Sequence, residues 1–380
     1  MSKAIFAAIL AATLTLTPIP AAAEGTGPEL SCASALLMEK ETGTVLYEKD
    51  AHLPLAPASV TKIMTLLLAM EALDSGAISR SDVVTVSAAA AGMGGSQVYL
   101  KQGEQITVNE LLKCVAVVSG NDCAVALAEH IAGSESSFVE RMNRRAAELG
   151  MNDTHFLNCT GLPAPGHLTS AHDIALMSRE LILNHPAIRD YTTLWMDSIR
   201  DGSFGLTNTN RLIRFYPGAT GLKTGSTDEA LYCMSATAER DGMELIAVVM
   251  KSPTTAQRFE DAQTLLDYGF ARWALLEIHP DVPLSPIPVL LGKSAQVQPL
   301  YTQPFHRLVE KEARSEVSTR LELCENVQAP VDRGQILGRL QVYVGDDLRA
   351  SVPLTAADPI PRLTTGDIML RLLEVLFMTK

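Results

Sequence analysis

Ser59, Lys62 and Thr65 recur every third residue within the stretch Pro57 to Gly76, a spacing that sets a hydroxyl, an amine and a second hydroxyl in one line down a helix. The rest of that stretch is apolar (Val60, Ile63, Met64, Leu66, Leu67, Leu68, Met70, Leu73), so the seam runs along a helix that belongs in a core. An ammonium there is desolvated, and a buried lysine can lose about 3 to 5 pKa units in the extreme. A neutral amine one turn from a hydroxyl is a base beside a nucleophile. The competing reading is a capping serine with a lysine that reaches out to water, and a chain of this length holds about one or two Ser-x-x-Lys by chance. Two further motifs bear on the choice: Ser119-Gly120-Asn121, at the junction of two helical runs, and Lys223-Thr224-Gly225-Ser226, opening a group of strands.

The elements that must position these groups are legible in outline. Pro57 suits the first turn of the central helix and Gly76 its stop. Before it, 34–40 and 44–49 read as a hairpin around Glu41-Thr42-Gly43. After it, helical patterns at 107–118, 122–132, 136–149 and 171–184 read as an inserted helical lobe spanning 77 to about 215. Strand patterns return at 221–226, 230–239 and 244–251, with Asp241-Gly242 as a turn, and 255–273 reads as a helix. The expected fold is α+β: an antiparallel sheet with strands from both ends of the domain, packed with helices and carrying an all-helical insertion, with the site in the cleft between lobes.

The domains expected are a secretory signal at 1–23, a catalytic domain at 24–276, a small β-sandwich at 277–365 and an amphipathic helix at 366–380. The signal rests on Lys3, the apolar run Ala4 to Leu16 and Ala21-Ala22-Ala23; the second boundary rests on the crowding of Pro280, Pro283, Pro286 and Pro288. The last segment sets Asp367, Arg371 and Glu374 on one stripe amid apolar residues; as a helix it spans about 22 Å, too short to cross a bilayer. It reads either as a helix lying on a membrane surface or as one docked on its own domain. The chain has 380 residues, 47% of them hydrophobic, and a formal net charge of −12, a balance that argues against nucleic acid. Its six cysteines show neither a zinc spacing nor a disulfide framework and read as buried free thiols, with a disulfide as the alternative.

Together the three motifs, in this order, resemble the low-molecular-weight penicillin-binding proteins, the serine-type D-alanyl-D-alanine carboxypeptidases. Asn158-Cys-Thr-Gly-Leu162, Gly166-His167, Asp267-Tyr-Gly-Phe270 and Ala329-Pro-Val-Asp-Arg-Gly-Gln335 are similar to that family too, so the likeness covers nearly everything after the signal. It implies attack by Ser59 on a D-Ala-D-Ala linkage of the peptidoglycan stem peptide, with an acyl-enzyme as intermediate. Lys62 would take the Ser59 proton and be held neutral partly by repulsion from Lys223. Ser119 would pass a proton to the leaving D-alanine, and Asn121 would hold Lys62 and the substrate amide. The N–H groups of Ser59 and Ser226 would form the oxyanion hole, Gly225 would let substrate lie close to the strand, and Thr224 and Arg258 would bind the terminal carboxylate, Arg258 otherwise being an exposed helix residue. β-Lactams would acylate Ser59, no metal or organic cofactor is implied, and the place of action is outside the cytoplasm. Ser226 and Cys123 depart from common family residues, and His167 reads as structural. The alternatives are a serine β-lactamase, a D,D-endopeptidase and a non-catalytic wall protein.

Overall fold

The computed structural model describes residues 27–280, 283–301 and 305–377; the expected signal segment lies outside them. The described chain divides into two compact units at Leu275/Leu276.

The first unit is built on a five-stranded antiparallel sheet. Its strands are β1 (Ser34–Glu39), β2 (Val45–Lys49), β3 (Ala219–Thr227), β4 (Leu231–Arg240) and β5 (Met243–Ser252), in spatial order β2-β1-β5-β4-β3. The chain thus enters the sheet, leaves for some 170 residues, and returns to complete it. In β1 and β5 the alternation of side chains serves both faces. Leu36, Met38, Ile246 and Val248 point into the core shared with the helical lobe. Leu37 and Leu245 point the other way, against helix Thr255–Arg272, where a side chain at Gly269 would stand 2.5 Å from Leu245 and 2.9 Å from Leu37. Glycine at that position is what lets the helix lie close on the sheet.

Between β2 and β3 come helices α1 (Lys62–Asp74), α2 (Val108–Val117), α3 (Asn121–Ala132), α4 (Glu135–Glu148) and α5 (Ala171–Asn184). The sequence suggested a single helix from Pro57, but its first turn, Ala58–Thr61, is wound as a 3-10 helix with Ala58 at φ +48°. The tighter turn presents Ser59 at the mouth of the helix while the rod behind it stays buried. Two small antiparallel strand pairs, Val83–Thr85 with Gln105–Thr107 and Met196–Ile199 with Phe204–Thr207, interrupt a lobe that was expected to be all helical.

The second unit has a three-stranded sheet (Gln296–Val297, Ile287–Leu290, Val327–Gln328) and a four-stranded one (Pro299–Leu300, Asp347–Ala356, Ile336–Val344, Val317–Leu323). Ile287 and Val289 of the first share a core with Leu337 and Ala356 of the second, the two-layer arrangement expected. The terminal helix Thr365–Leu376 is capped by Thr364 and Asp367. Asp367 pairs with Lys293 at 3.3 Å, and the Arg371 guanidinium donates to the Lys293 carbonyl at 2.9 Å. Its apolar side chains are left in the open: Leu370, Leu372, Val375, Leu376 and Phe377 are 58–77% exposed. Among the described residues no helix is long and apolar enough to cross a membrane, and every cysteine is a free thiol, five buried and Cys324 exposed.

Candidate active site

The 3-10 turn that carries Ser59 packs against two other segments, and glycines set how close they come. A side chain at Gly161, where φ is +82°, would lie 1.9 Å from the Ala58 carbonyl oxygen. One at Gly225 in β3 would lie 2.8 Å from the Ser59 nitrogen. What the missing side chain of Gly225 makes room for is therefore the backbone of the turn that carries Ser59.

Lys62 is fully buried, and all three of its donors are committed: to Ser59 Oγ at 2.9 Å, Asn121 Oδ1 at 2.6 Å and the Thr160 carbonyl at 2.7 Å. The snorkelling alternative is thereby excluded. Burial pulls its pKa down from 10.5 to about 7, against the opposing pull of Cys159, Asp122 and Cys123. The repulsion expected from Lys223 falls the other way. Lys223 Nζ, also buried, is pushed well below its ordinary value first by desolvation and then by the charges of Lys62 and Arg258. A lysine that resists protonation is a weak source of repulsion, so desolvation is what lowers Lys62.

Asn121 is the first residue of α3. Its Nδ2 donates to the Gly94 carbonyl at 2.7 Å, which fixes the amide with its oxygen toward Lys62. The loop carrying Gly94 is tied down by buried Asp122, whose carboxylate accepts the N–H groups of Val98, Leu100 and Cys123. Two residues before Asn121, Ser119 turns the chain between α2 and α3 at φ +64°, and its buried Oγ has no hydrogen-bond partner. An unsatisfied buried hydroxyl in a left-handed residue is a costly arrangement that points to function.

Along β3, Lys223 Nζ donates to the Thr224 carbonyl at 2.9 Å and the Thr224 hydroxyl to that of Thr209 at 2.8 Å. Ser226 is exposed, and β3 is the last strand of its sheet, so its outer edge is unpaired. Arg258 is no surface residue: it is 6% exposed, its Nη1 donates to the Gly225 carbonyl at 3.3 Å, and its Nε has no partner. No carboxylate pairs with it among the described residues, and burial lowers its pKa to about 10.

A family model described as D-alanyl-D-alanine carboxypeptidase matches residues 21–254, and one described as Penicillin-binding protein 5, C-terminal domain, matches residues 279–362. The chain belongs to the D-alanyl-D-alanine carboxypeptidase family. Among curated relatives it is 41% identical to the D-alanyl-D-alanine carboxypeptidase DacF of Bacillus subtilis over 95% of each chain. Among solved structures, penicillin-binding protein 5 of Haemophilus influenzae matches with TM-score 0.76 and 31% identity, covering 89% of this chain and all of that one. Penicillin-binding protein D2 of Listeria monocytogenes in its ampicillin-bound form matches at 0.59 and 33% identity, covering 63% of this chain and 98% of that one.

Within this family member, sequence reasoning passed over groups that act through the backbone. The Thr160 carbonyl holds Lys62, and the Cys159 carbonyl accepts from Thr65, the third member of the seam, at 2.7 Å. Asn158 shapes that loop by accepting the Thr160 and Gly161 N–H groups. His167 pins it: Leu157 N–H donates to Nδ1, so the proton sits on Nε2 and goes to Thr61 Oγ1 at 2.8 Å. Burial lowers His167 to about 4. Among the described residues one group is spaced to hold a metal, Glu71, Glu180 and His185, but Arg145 already pairs with both carboxylates, at 2.7 and 2.5 Å.

Proposed function

We propose that the chain is a serine D,D-carboxypeptidase that removes the terminal D-alanine from peptidoglycan stem pentapeptides through an acyl-enzyme on Ser59. The observation that carries this reading is the 2.9 Å contact between Ser59 Oγ and a fully buried Lys62 amine whose pKa is about 7.

Burial makes the uncharged form of Lys62 accessible near neutral pH, poised to take the Ser59 proton as Oγ bonds to the carbonyl carbon. The N–H groups of Ser59 and Ser226 hold the oxyanion; losing one such donor typically costs about 100- to 1,000-fold in rate. Ser119, with its free hydroxyl, relays the proton from Lys62 to the departing amine as the C–N bond breaks. Water then releases the shortened peptide and regenerates Ser59. Arg258, assisted by Thr224, binds the terminal carboxylate, since a buried guanidinium without a counter-ion calls for an anion. Asn121 holds Lys62 in line, and its remaining N–H is free for a substrate carbonyl. β-Lactams enter by the same acylation.

The place of action in this proposal is outside the cytoplasm. Residues 1–23 serve as a secretory signal, 24–276 as the catalytic domain and 277–365 as an accessory β domain. Residues 366–380 serve as a surface anchor, the exposed apolar side chains of helix Thr365–Leu376 resting on the outer face of the membrane. Fluorescent penicillin tests the chemistry: slow-turnover labelling that Ser59→Ala abolishes supports a carboxypeptidase, whereas rapid hydrolysis supports a β-lactamase and refutes this reading.

A further inference from the structure

We propose, resting on the carboxypeptidase reading, that Arg211 is a second cation for the carboxylate of the leaving residue, standing on the solvent side of Arg258 and tightening substrate binding without entering the chemistry. The segment that carries it is tied to β3. The Asn210 side chain donates to the Gly221 carbonyl at 2.8 Å and accepts the Leu212 N–H at 3.0 Å, and the Thr209 hydroxyl accepts from that of Thr224 at 2.8 Å. Burial alternates along this stretch: Asn208, Asn210 and Leu212 are turned inward, Thr209 and Arg211 outward. Arg211 therefore leaves the chain on the side of Thr209, about 7 Å further along, within an arginine's reach of the Thr224–Arg258 end.

The charges around it favour an anion there. The Arg211 side chain makes no hydrogen bond or ion pair among the described residues, and no carboxylate pairs with Arg258. Burial lowers Arg258, and repulsion from Arg211 adds to that lowering, so the two guanidiniums feel each other. Neighbouring cations with no acid to offset them cost the free enzyme energy that a bound carboxylate recovers. The chain as a whole carries a formal charge of −12, which disfavours an anionic peptide, and a local excess of positive charge reverses that at the carboxylate end. Arg258, buried, is placed to touch the carboxylate, whereas exposed Arg211 acts across water and is screened by salt.

The test is D-alanine release from Nα,Nε-diacetyl-Lys-D-Ala-D-Ala, whose one charge is its terminal carboxylate, at about 20 and about 500 mM salt, where the screening length falls from about 20 Å to about 4 Å. At the lower salt Arg211→Gln is expected to raise KM about fourfold with kcat unchanged, the scale of an exposed ion pair, and Arg211→Glu to raise it about tenfold. Arg211→Lys keeps KM within about twofold of wild type. Arg214→Gln removes the same charge three residues on, from a guanidinium 5.6 Å from the centroids of the Trp195 and Phe215 rings, and leaves KM unchanged. At the higher salt all differences shrink below about twofold. An unchanged KM with Arg211→Gln and Arg211→Glu, an equal rise with Arg214→Gln, a rise that persists at high salt or a fall confined to kcat overturns the assignment. No release by wild type overturns the carboxypeptidase reading instead, and the unchanged kcat reports that each variant has folded.

Discussion

A lysine that donates three hydrogen bonds and lies out of reach of water has been given a site that favours its charge through acceptors and disfavours it through desolvation. With the balance near pH 7, acylation of Ser59 by penicillin is expected to rise with pH through about 7 and then level off, because only the neutral amine accepts the proton. A stopped-flow profile checks this; a flat rate between pH 5.5 and 8.5 would remove Lys62 from the role of base. Arg258→Ala should lower kcat/KM for a D-Ala-D-Ala peptide by about 100-fold, as expected when a charge-assisted contact to a carboxylate is lost. The same substitution in a peptide amide assay, with no terminal carboxylate to bind, should cost far less. Ser59, Lys62, Ser119, Asn121 and Lys223 were legible as candidates because side-chain type and spacing mark them in the sequence. The Thr160 and Gly94 carbonyls were not, because every residue has one and only the fold decides which are aimed.

Between elements, small residues and one histidine set the spacing. Gly161→Ala would drive a methyl group into the Ala58 carbonyl and force a side chain into a left-handed backbone. It should cost more than about 2 kcal/mol of stability and abolish penicillin labelling under conditions where circular dichroism still reports a fold. His167 contributes in a pH-dependent way. Its folded pKa, about 4, lies below the unfolded 6.5, so the unfolded chain binds the extra proton between those values and stability falls as pH drops through that window. The loss amounts to at most about 3 kcal/mol, and His167→Gln should flatten this part of a melting-temperature profile from pH 7 to 4. The regular helices and sheet strands were readable from periodicity and turn residues. The 3-10 turn at Ala58–Thr61 was not, since it packs against Gly161 and Gly225, both distant in sequence, and neither were the two strand pairs of three and four residues per strand, too short for an alternation to register.

At the scale of the whole molecule, a unit with a Ser59–Lys62 contact, an unpaired strand edge and a buried Arg258 is joined in one chain to a β domain whose terminal helix exposes much of its apolar surface. Residues 366–380 should carry the protein to the top of a flotation gradient with vesicles containing phosphatidylglycerol, and their deletion should leave it at the bottom; equal behaviour would return the helix to a purely structural role. That one sheet draws strands from both flanks of a 170-residue excursion followed from where strand patterns sat in the sequence, whereas the order of the strands came only from the structure. The most direct test of the account is D-alanine release from a pentapeptide ending in D-Ala-D-Ala, measured with wild type, Ser59→Ala and Lys62→Ala. The account predicts release by wild type, none above background with Ser59→Ala, and a loss of about 100- to 10,000-fold with Lys62→Ala. Release at an undiminished rate by either variant would contradict it.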